Sequence, residues 1–201
     1  MQAKHRVLLG CALAGSLSLT PGFAHAEVEP GGWKPDNPTF QVQQRGCGQV
    51  SDLTFKLTCS SSDGDNRAER RYATYQGGSH QFEGYFTITS MGGNRISLKQ
   101  TFRDSPDDGP FFMLGVEKGG RLYSVRNGGD TIARGATVGT RVRVNTVHKV
   151  GDKHRTYING SLKHTESSRN GSYYDKLGAY ATKKGKGPIT VGWSDIKFWR
   201  K

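Results

Sequence analysis

The chain has 201 residues and a formal net charge of +12, from 29 lysines and arginines against 17 aspartates and glutamates. About 175 residues remain once the N-terminal segment described below is removed, a length that fits one domain with a sizeable core. The charge concerns partners rather than fold. The positive charge narrows the candidate binding partners to nucleic acid, an anionic membrane surface or an acidic polysaccharide. The plain alternative is that the charge serves only to keep the protein soluble.

Residues 1–26 have the pattern of a secretory signal peptide. Lys4 and Arg6 provide a basic start, residues 7–19 form an apolar stretch, and residues 24–26 read A-H-A, a small-residue cleavage pattern. The apolar stretch is too short to span a membrane, and no second one follows. We therefore expect a soluble, secreted protein, extracellular or periplasmic, cleaved near Ala26. The alternative is a lipoprotein with Cys11 as the lipidated residue.

Export makes a disulfide possible, because secreted proteins fold in oxidising compartments. Cleavage would remove Cys11 and leave Cys47 and Cys59, which most simply form one bridge. Its loop is short, so the chain-entropy estimate of its stabilisation is roughly 3 kcal/mol. Two buried free thiols are the alternative, whereas two cysteines with no nearby histidine make a poor zinc site.

Residues 27–38 form a Pro/Gly-rich arm or short linker, and residues 39–201 form the main domain. From residue 39 onward, short alternating or β-branched runs are separated by glycine, asparagine, aspartate and proline, which predicts strands and turns. No window has a sustained 3.6-residue period, so we expect almost no helix. The predicted strands cover residues 39–44, 53–58, 66–75, 80–89, 95–103, 111–117, 121–126, 130–134, 140–149, 153–159, 173–182 and 188–200.

Many short strands in one domain of this size predict an all-β sandwich or barrel. The strands at 80–89, 95–102, 140–149 and 173–182 alternate between polar and apolar positions, as in an antiparallel sheet with one face on the core and one toward water. Two such curved antiparallel sheets make a jelly roll. The polar inner face of one sheet then becomes a groove.

Three short motifs lie on predicted strands: RAERR at 67–71, QTF at 100–102 and YDKLGAY at 174–180. Side chains two positions apart on a strand point to the same face. If these faces line one groove, it holds several cations, an amide and two phenols, a set suited to gripping a carboxylated sugar. The side chains concerned are Arg67, Glu69 and Arg71, then Gln100 and Phe102, then Tyr174, Lys176 and Tyr180.

In this order the three motifs resemble those of the alginate lyases of polysaccharide lyase family seven and of the related glucuronan-lyase-like proteins. That family carries R-S/T-E-L-R, then Q-I-H, then Y-F-K-A-G-x-Y, and the resemblance runs from about residue 65 to the C-terminus. It implies a concanavalin-like jelly roll whose concave sheet cleaves uronic-acid polymers by β-elimination without a cofactor.

The second motif departs from the family pattern, because Phe102 replaces its histidine. In the family that histidine is linked with proton abstraction or with orienting the sugar, and a phenyl ring can only stack or pack. His80 and His148 exist, but nothing in the sequence places either of them in the groove. Either the tyrosine handles both protons, or the protein is a non-catalytic carbohydrate binder.

β-Elimination removes the C5 proton of a uronate and expels the 4-O-linked sugar. Arg71 and Gln100 are predicted to neutralise the adjacent carboxylate, and Tyr180 to take the proton and return it to the leaving oxygen. A phenol with a pKa near 10 is a weak base at neutral pH, so we expect Arg71 and Lys176 to lower the pKa of Tyr180. This scheme requires no metal.

Seven further residues are predicted to contact the substrate without reacting with it. The ionic side chains at 67–71 have a simpler alternative as a cross-strand ion-pair ladder, and the tyrosines as ordinary strand aromatics. The seven are Arg67, Glu69, Lys176, Tyr174, Phe102, Arg143 and Asn145.

The sequence therefore predicts a secreted polysaccharide lyase that acts on an acidic, uronate-containing polysaccharide. It predicts a monomer that binds no nucleic acid and does not insert into membranes. One alternative is a lectin-like, carbohydrate-binding jelly roll without turnover, which Phe102 favours. Another is a basic structural protein of the cell envelope.

Overall fold

The computed structural model describes residues 28–60, 65–105, 109–126 and 129–201, so the predicted signal peptide lies outside the described residues. Within these ranges the regular structure is all β-strand, and no helix is long and apolar enough to cross a membrane. The strands are β1 (Lys34–Asp36), β2 (Phe40–Arg45), β3 (Gly48–Ser51), β4 (Thr54–Leu57), β5 (Arg67–Tyr72), β6 (Tyr75–Gln76), β7 (Ser79–Met91), β8 (Arg95–Arg103), β9 (Pro110–Glu117), β10 (Leu122–Ser124), β11 (Thr131–Ala133), β12 (Arg141–Lys149), β13 (Lys153–Ile158), β14 (Ser161–Ser167), β15 (Ser172–Tyr180) and β16 (Ile189–Arg200).

The strands form two antiparallel sheets that pack against each other. The first, which we call the groove sheet, has the order β11-β10-β9-β8-β15-β5-β2, with β6 paired to β15. The second, the back sheet, has the order β14-β13-β12-β7-β16-β4-β3, with β1 paired to β16. This arrangement is the all-β jelly-roll sandwich expected from the sequence.

The core lies between the two sheets and is filled from both by alternate residues. On β12, Val142 and Val144 face the core and are buried, whereas Arg141 and Arg143 point outward. This alternation follows from the two-residue period of a strand. The large fully buried aromatic side chains of the core are Phe55, Phe82, Phe86 and Phe112.

The N-terminal arm covers a second, smaller apolar cluster on the outer face of the back sheet. Trp33 of the arm packs with Val147, Tyr157 and Trp199, and the Tyr157 hydroxyl donates a hydrogen bond to Glu29 Oε1 at 2.5 Å. The chain then continues into β1, which pairs with β16. The described part of the arm is thus an outer layer of the back sheet.

The predicted disulfide is confirmed. Cys47 and Cys59 are bonded, and their Cα atoms are 5.8 Å apart. The two residues flank β3 and β4, so the bridge closes the base of this hairpin at the edge of the back sheet.

Each of the twelve predicted strands has a counterpart, although the predicted strand at 66–75 ends as β5 at Tyr72 and is followed by the separate β6. The sequence did not predict β1, β3 or β14. Strand β14 reads SLKHTES and forms an edge of the back sheet. Because its side chains alternate between exposed and partly exposed, no apolar face signals the strand.

Polar side chains are buried between the sheets, directly behind the motif strands. Asp175 Oδ1 accepts hydrogen bonds from Lys99 Nζ and Thr101 Oγ1, both at 2.6 Å. His154 Nε2 lies 3.3 Å from Thr101 Oγ1, and the His148 and His154 rings are tilted by 59° with centroids 5.4 Å apart. We call these five residues the core polar cluster.

The two histidines of the cluster are held neutral by their surroundings. His148 Nδ1 lies 2.8 Å from the Tyr75 hydroxyl, and its Nε2 lies 2.7 Å from Ser168 Oγ. Burial lowers the pKa of His148 from 6.5 to about 4, although the Asp175 carboxylate acts in the opposite direction. Burial also lowers the pKa of His154 well below its ordinary value.

We predict that the protein loses stability as the pH falls from about 6.5 towards 4, because the unfolded chain then binds protons that the folded chain excludes. The shift of the His148 pKa from 6.5 to about 4 corresponds to roughly 3 kcal/mol, fully present above the unfolded pKa. His148→Gln should flatten the dependence of Tm on pH across this range. His164→Gln, on edge strand β14, is the control, and equal slopes in the two variants would contradict the prediction.

Candidate functional site

The three motif strands are neighbours in the groove sheet, where β15 lies between β5 and β8. Directly opposed residues of an antiparallel pair point to the same face. The motif side chains therefore converge on the face that looks away from the core, which we call the groove. The opposed pairs are Arg71 and Lys176, Lys176 and Gln100, Tyr174 and Phe102, and Arg67 and Tyr180.

Glu69 lies in the floor of the groove and is almost fully buried. Gln100 Nε2 donates a hydrogen bond to Glu69 Oε1, and Lys176 Nζ lies 3.5 Å from Glu69 Oε2. Gln100 Oε1 is buried and has no donor among the described residues. Because buried acceptors are normally hydrogen-bonded, this oxygen is a candidate partner for a sugar hydroxyl.

Burial is the largest cause of the pKa shifts of both Glu69 and Lys176. It raises the pKa of Glu69, although Lys176 and Arg67 act in the opposite direction. It lowers the pKa of Lys176, which Glu69 opposes. Since an isolated buried charge is costly, each partner is needed to keep the other in the floor.

One wall of the groove contains two stacked rings, each with a cation against it. The Phe102 and Tyr174 rings are inclined by 3°, with centroids 5.2 Å apart. Lys176 Nζ lies 4.9 Å from the Phe102 centroid, and Arg71 Cζ lies 4.0 Å from the Tyr174 centroid. Phe102 thus packs within the wall and fixes its neighbours, one of the two roles open to a phenyl ring at this position.

Tyr180 lies on the opposite side of the floor, beside Arg67. Arg67 Cζ is 5.1 Å from the Tyr180 ring centroid, and Arg67 Nη2 donates to Asp65 Oδ1 at 2.5 Å. Burial raises the pKa of Tyr180, Arg67 opposes this, and neighbouring carboxylates including Asp65 reinforce it. The expectation that Arg71 and Lys176 lower this pKa is wrong, because burial and the carboxylates outweigh the nearby cation.

Gly178 lies between Lys176 and Tyr180 on β15 and allows this strand to approach β5 closely. Its φ is +141°, and a Cβ there would lie 2.2 Å from the Ala68 carbonyl oxygen and 2.8 Å from Glu69 Cα. The pairing of β15 with β8 also shifts in register between Leu177 and Tyr180. The glycine of the third motif is therefore a steric requirement of the strand that carries Tyr180.

The cations on the two sides of the groove have carboxylate partners. Arg71 Nη2 lies 3.7 Å from Asp104 Oδ1, and Arg67 is bonded to Asp65 as described above. Among the residues that the structure describes, no group of three or more histidine, cysteine, aspartate or glutamate side chains could hold a metal ion.

The structure does not bring Arg143 and Asn145, which were predicted to contact the substrate, to the groove. Both lie on β12 of the back sheet, where they alternate with core-facing valines and point outward. Arg143 Nε and Asn145 Nδ2 each donate to Glu83 Oε2 at 2.9 Å. Of the histidines considered, His148 belongs to the core polar cluster and His80 stacks on Tyr75, with ring centroids 4.0 Å apart.

Three polar side chains of β2 extend the groove and were not predicted. The sequence does contain an indication of this polar face, because polar residues occupy every second position, 41, 43 and 45, of this strand. The intervening Phe40 and Val42 are, however, exposed, so the strand has no buried face that would fix its orientation. The three side chains and their opposed residues on β5 are Gln41 and Arg71, Gln43 and Glu69, and Arg45 and Arg67.

Solved structures with a similar fold include alginate lyases. One from Pseudomonas aeruginosa has a TM-score of 0.60 and 17% identity, covering 79% of this chain and 88% of its own. One from Corynebacterium sp. has a TM-score of 0.61 and 19% identity, covering 77% and 81%. A family 7 alginate lyase in complex with substrate, with a histidine and a tyrosine substituted, has a TM-score of 0.62 and 13% identity, covering 81% and 92%.

No protein-family model and no curated protein matches the chain. At the low identities above, the structural similarities establish the fold, which is the jelly roll of the family 7 alginate lyases. The resemblance inferred from the three motifs is thereby confirmed at the level of fold. The chemistry has to be argued from the groove residues of this chain.

We predict that Tyr180 ionises above the ordinary phenol value of 10.0 and that Arg67→Gln moves its pKa higher still, because a cation that favours phenolate is lost. The measurement is a ¹³C NMR titration of ring-labelled tyrosine, with the Tyr180 signal assigned by Tyr180→Phe. Arg141→Gln is the control, since Arg141 lies over Tyr85 on the back sheet. A downward shift in Arg67→Gln would contradict the assigned electrostatics.

Proposed function

We propose that the protein is a secreted polysaccharide lyase that cleaves a uronic-acid polymer by β-elimination. The proposal depends on the convergence of Arg71, Gln100 and Tyr180 on one face of a family 7 lyase fold. Secretion is inferred from the signal-peptide pattern of residues 1–26. In this proposal the protein acts as a monomer.

Arg71 is the residue best placed to neutralise the substrate carboxylate. The Tyr174 ring orients its guanidinium, and the 3.7 Å separation from Asp104 is longer than a hydrogen bond. Its donors can therefore form the bidentate pair that guanidinium makes with carboxylates. Gln100 is held by Glu69 through one N–H, and its amide has a second N–H to offer.

Tyr180 handles the proton in this mechanism. Its phenolate oxygen takes the C5 proton, the C5–H electron pair forms the C4–C5 double bond, and the bond from C4 to the glycosidic oxygen breaks. The resulting phenol gives the proton to the departing oxygen, so the phenolate is regenerated. Because one group serves both steps, the C5 proton and the leaving oxygen must lie on the same side of the sugar, which makes the elimination syn.

The raised pKa of Tyr180 makes phenolate a minor species at neutral pH. The rate of elimination should therefore increase with pH until the phenol is ionised. Arg67 is the cation beside the ring and stabilises the ionised form. This mechanism is accordingly one for neutral to alkaline conditions.

A carbohydrate-binding protein without turnover is the second candidate, and two observations favour it. Phe102 stands where the family has a histidine and is packed against Tyr174. Tyr180 is also a weaker acid than an ordinary phenol, so the base is scarce at neutral pH. Both candidates bind the same polymers and differ in whether a product forms.

The deciding experiment is incubation with a panel of uronate polymers across a range of pH. The conjugated C4–C5 double bond of an unsaturated product absorbs in the ultraviolet, whereas binding alone gives no such signal. The lyase proposal predicts product with at least one polymer and a rate that rises with pH. Tight binding of a polymer with no product from any member of the panel would instead establish the binding protein.

We predict that Tyr180→Phe lowers kcat by roughly 10²-fold or more, because the proton-transfer group is lost, with substrate affinity changed by a few-fold at most. Steady-state kinetics and equilibrium binding measure the two effects. Tyr85→Phe is the matched control, because Tyr85 also lies beneath an arginine but on the outer face of the back sheet. Activity of Tyr180→Phe close to that of Tyr85→Phe would refute the role of Tyr180.

We also predict that Phe102→His raises kcat at neutral pH and moves the rising limb of the pH profile to lower pH. An imidazole with an ordinary pKa near 6.5 supplies a base where phenolate is scarce. Phe40→His, which places an imidazole on the exposed edge strand β2, is the control. An unchanged profile in a folded Phe102→His variant would show that proton abstraction from this side does not limit the reaction.

A further inference from the structure

A carboxylate of the chain itself bridges two arginines beside Tyr180. Asp65 Oδ1 lies 2.5 Å from Arg67 Nη2, and Asp65 Oδ2 lies 2.6 Å from Arg45 Nη1. Each carboxylate oxygen of Asp65 thus pairs with one guanidinium group. The spacing between the two arginines is therefore one that a single carboxylate spans.

The two arginines lie in a row that crosses the strands. Arg45 on β2 opposes Arg67 on β5, and Arg67 opposes Tyr180 on β15. Neighbouring strands are about 4.8 Å apart, a spacing close to the advance per residue of a 1,4-linked pyranose chain. A polymer that crosses the strands at Tyr180 therefore meets Arg67 and then Arg45 as it continues toward the sheet edge.

The same edge strand carries a buried acceptor without a partner in the described part of the chain. Gln43 lies two residues before Arg45, opposite Glu69 of the floor, and its Oε1 is buried with no donor among the described residues. A sugar hydroxyl can supply that donor. Strand β2 thus offers a hydrogen-bond acceptor beside a pair of guanidinium groups, a combination that matches the hydroxyls and carboxylate of a uronate.

We propose that Arg45 and Arg67 form a clamp for the carboxylate of a second uronate, next to the one at Tyr180, and that Asp65 occupies this clamp when no polymer is bound. The inference deepens the proposed function by assigning a subsite and a preference for longer uronate chains. It holds whether or not the polymer is cleaved.

Exchange of Asp65 for a substrate carboxylate replaces one anion with another. The Arg45 side chain is 69% exposed and that of Asp65 is 35% exposed, so both are accessible from solvent. An arginine has five N–H donors, which allows the incoming carboxylate to bind before Asp65 leaves. Asp65 then weakens polymer binding because it competes for the same donors.

The test is calorimetric binding of oligouronates of increasing length, measured in the Tyr180→Phe background, in which cleavage is expected to be slow and the Tyr180 phenol is absent. Arg45→Gln should weaken binding, by about five-fold at most for an exposed ion pair. Asp65→Asn should strengthen it, since both guanidinium groups are released. Both effects should be larger for long oligomers than for the shortest oligomer that binds.

A matched pair of controls comes from the back sheet, where Arg141 Nη2 lies 2.5 Å from Asp195 Oδ2 and both side chains are exposed. Arg141→Gln and Asp195→Asn should leave the affinities unchanged. Thermal melting of each variant shows whether it is folded.

Opposite effects of Arg45→Gln and Asp65→Asn that grow with chain length support the clamp. The clamp is overturned if folded Asp65→Asn binds no better than its parent, or if both effects are independent of length. Failure of the parent to bind any oligouronate would overturn the proposed function as well. The two failures are distinguishable because only the second abolishes binding in every variant.

Discussion

The close approach of β15 to β5 at Gly178 is the constraint on which the groove depends. A side chain there would collide with the backbone of Ala68 and Glu69, so β15 would have to move away from β5. That movement would separate Tyr180 from Arg67 and Lys176 from Glu69, which are held together by this pairing. A single steric requirement therefore fixes the positions of Tyr180, its neighbouring cation and the floor of the groove.

The motif strands also carry three members of the core polar cluster on their opposite face, because side chains alternate along them, whereas His148 and His154 come from the back sheet. Asp175 lies between two groove residues on β15, and Lys99 and Thr101 flank Gln100 on β8. Because the histidines of this cluster are neutral in the folded protein, a low pH lowers the stability of the fold. Because the pKa of Tyr180 is raised, a low pH also lowers the fraction of Tyr180 that is phenolate. Stability and the proposed chemistry thus favour the same neutral to alkaline range.

The sequence predicts the groove where the two-residue period and the motif spacing act together, as for Glu69, Gln100 and Lys176. It fails where a property depends on which strands become neighbours. The pairing of Arg45 with Asp65 and the position of β2 beside β5 are contacts between segments that no local pattern specifies. The direction of the Tyr180 pKa shift was missed for the same reason, since it is decided by burial and by the carboxylates that the fold places near the ring.

The ion pairs of the groove change what the net charge of +12 means for binding. Asp104 accompanies Arg71, Asp65 bridges two arginines, and Glu69 accompanies Lys176. Long-range attraction of a polyanion follows from the excess charge and is screened by salt. In the proposed clamp, affinity instead follows from the exchange of Asp65 for a carboxylate of the polymer, which conserves the number of charge pairs. In this proposal, specificity depends on how well the spacing of carboxylates along the polymer matches the distance between Tyr180 and the clamp across the strands.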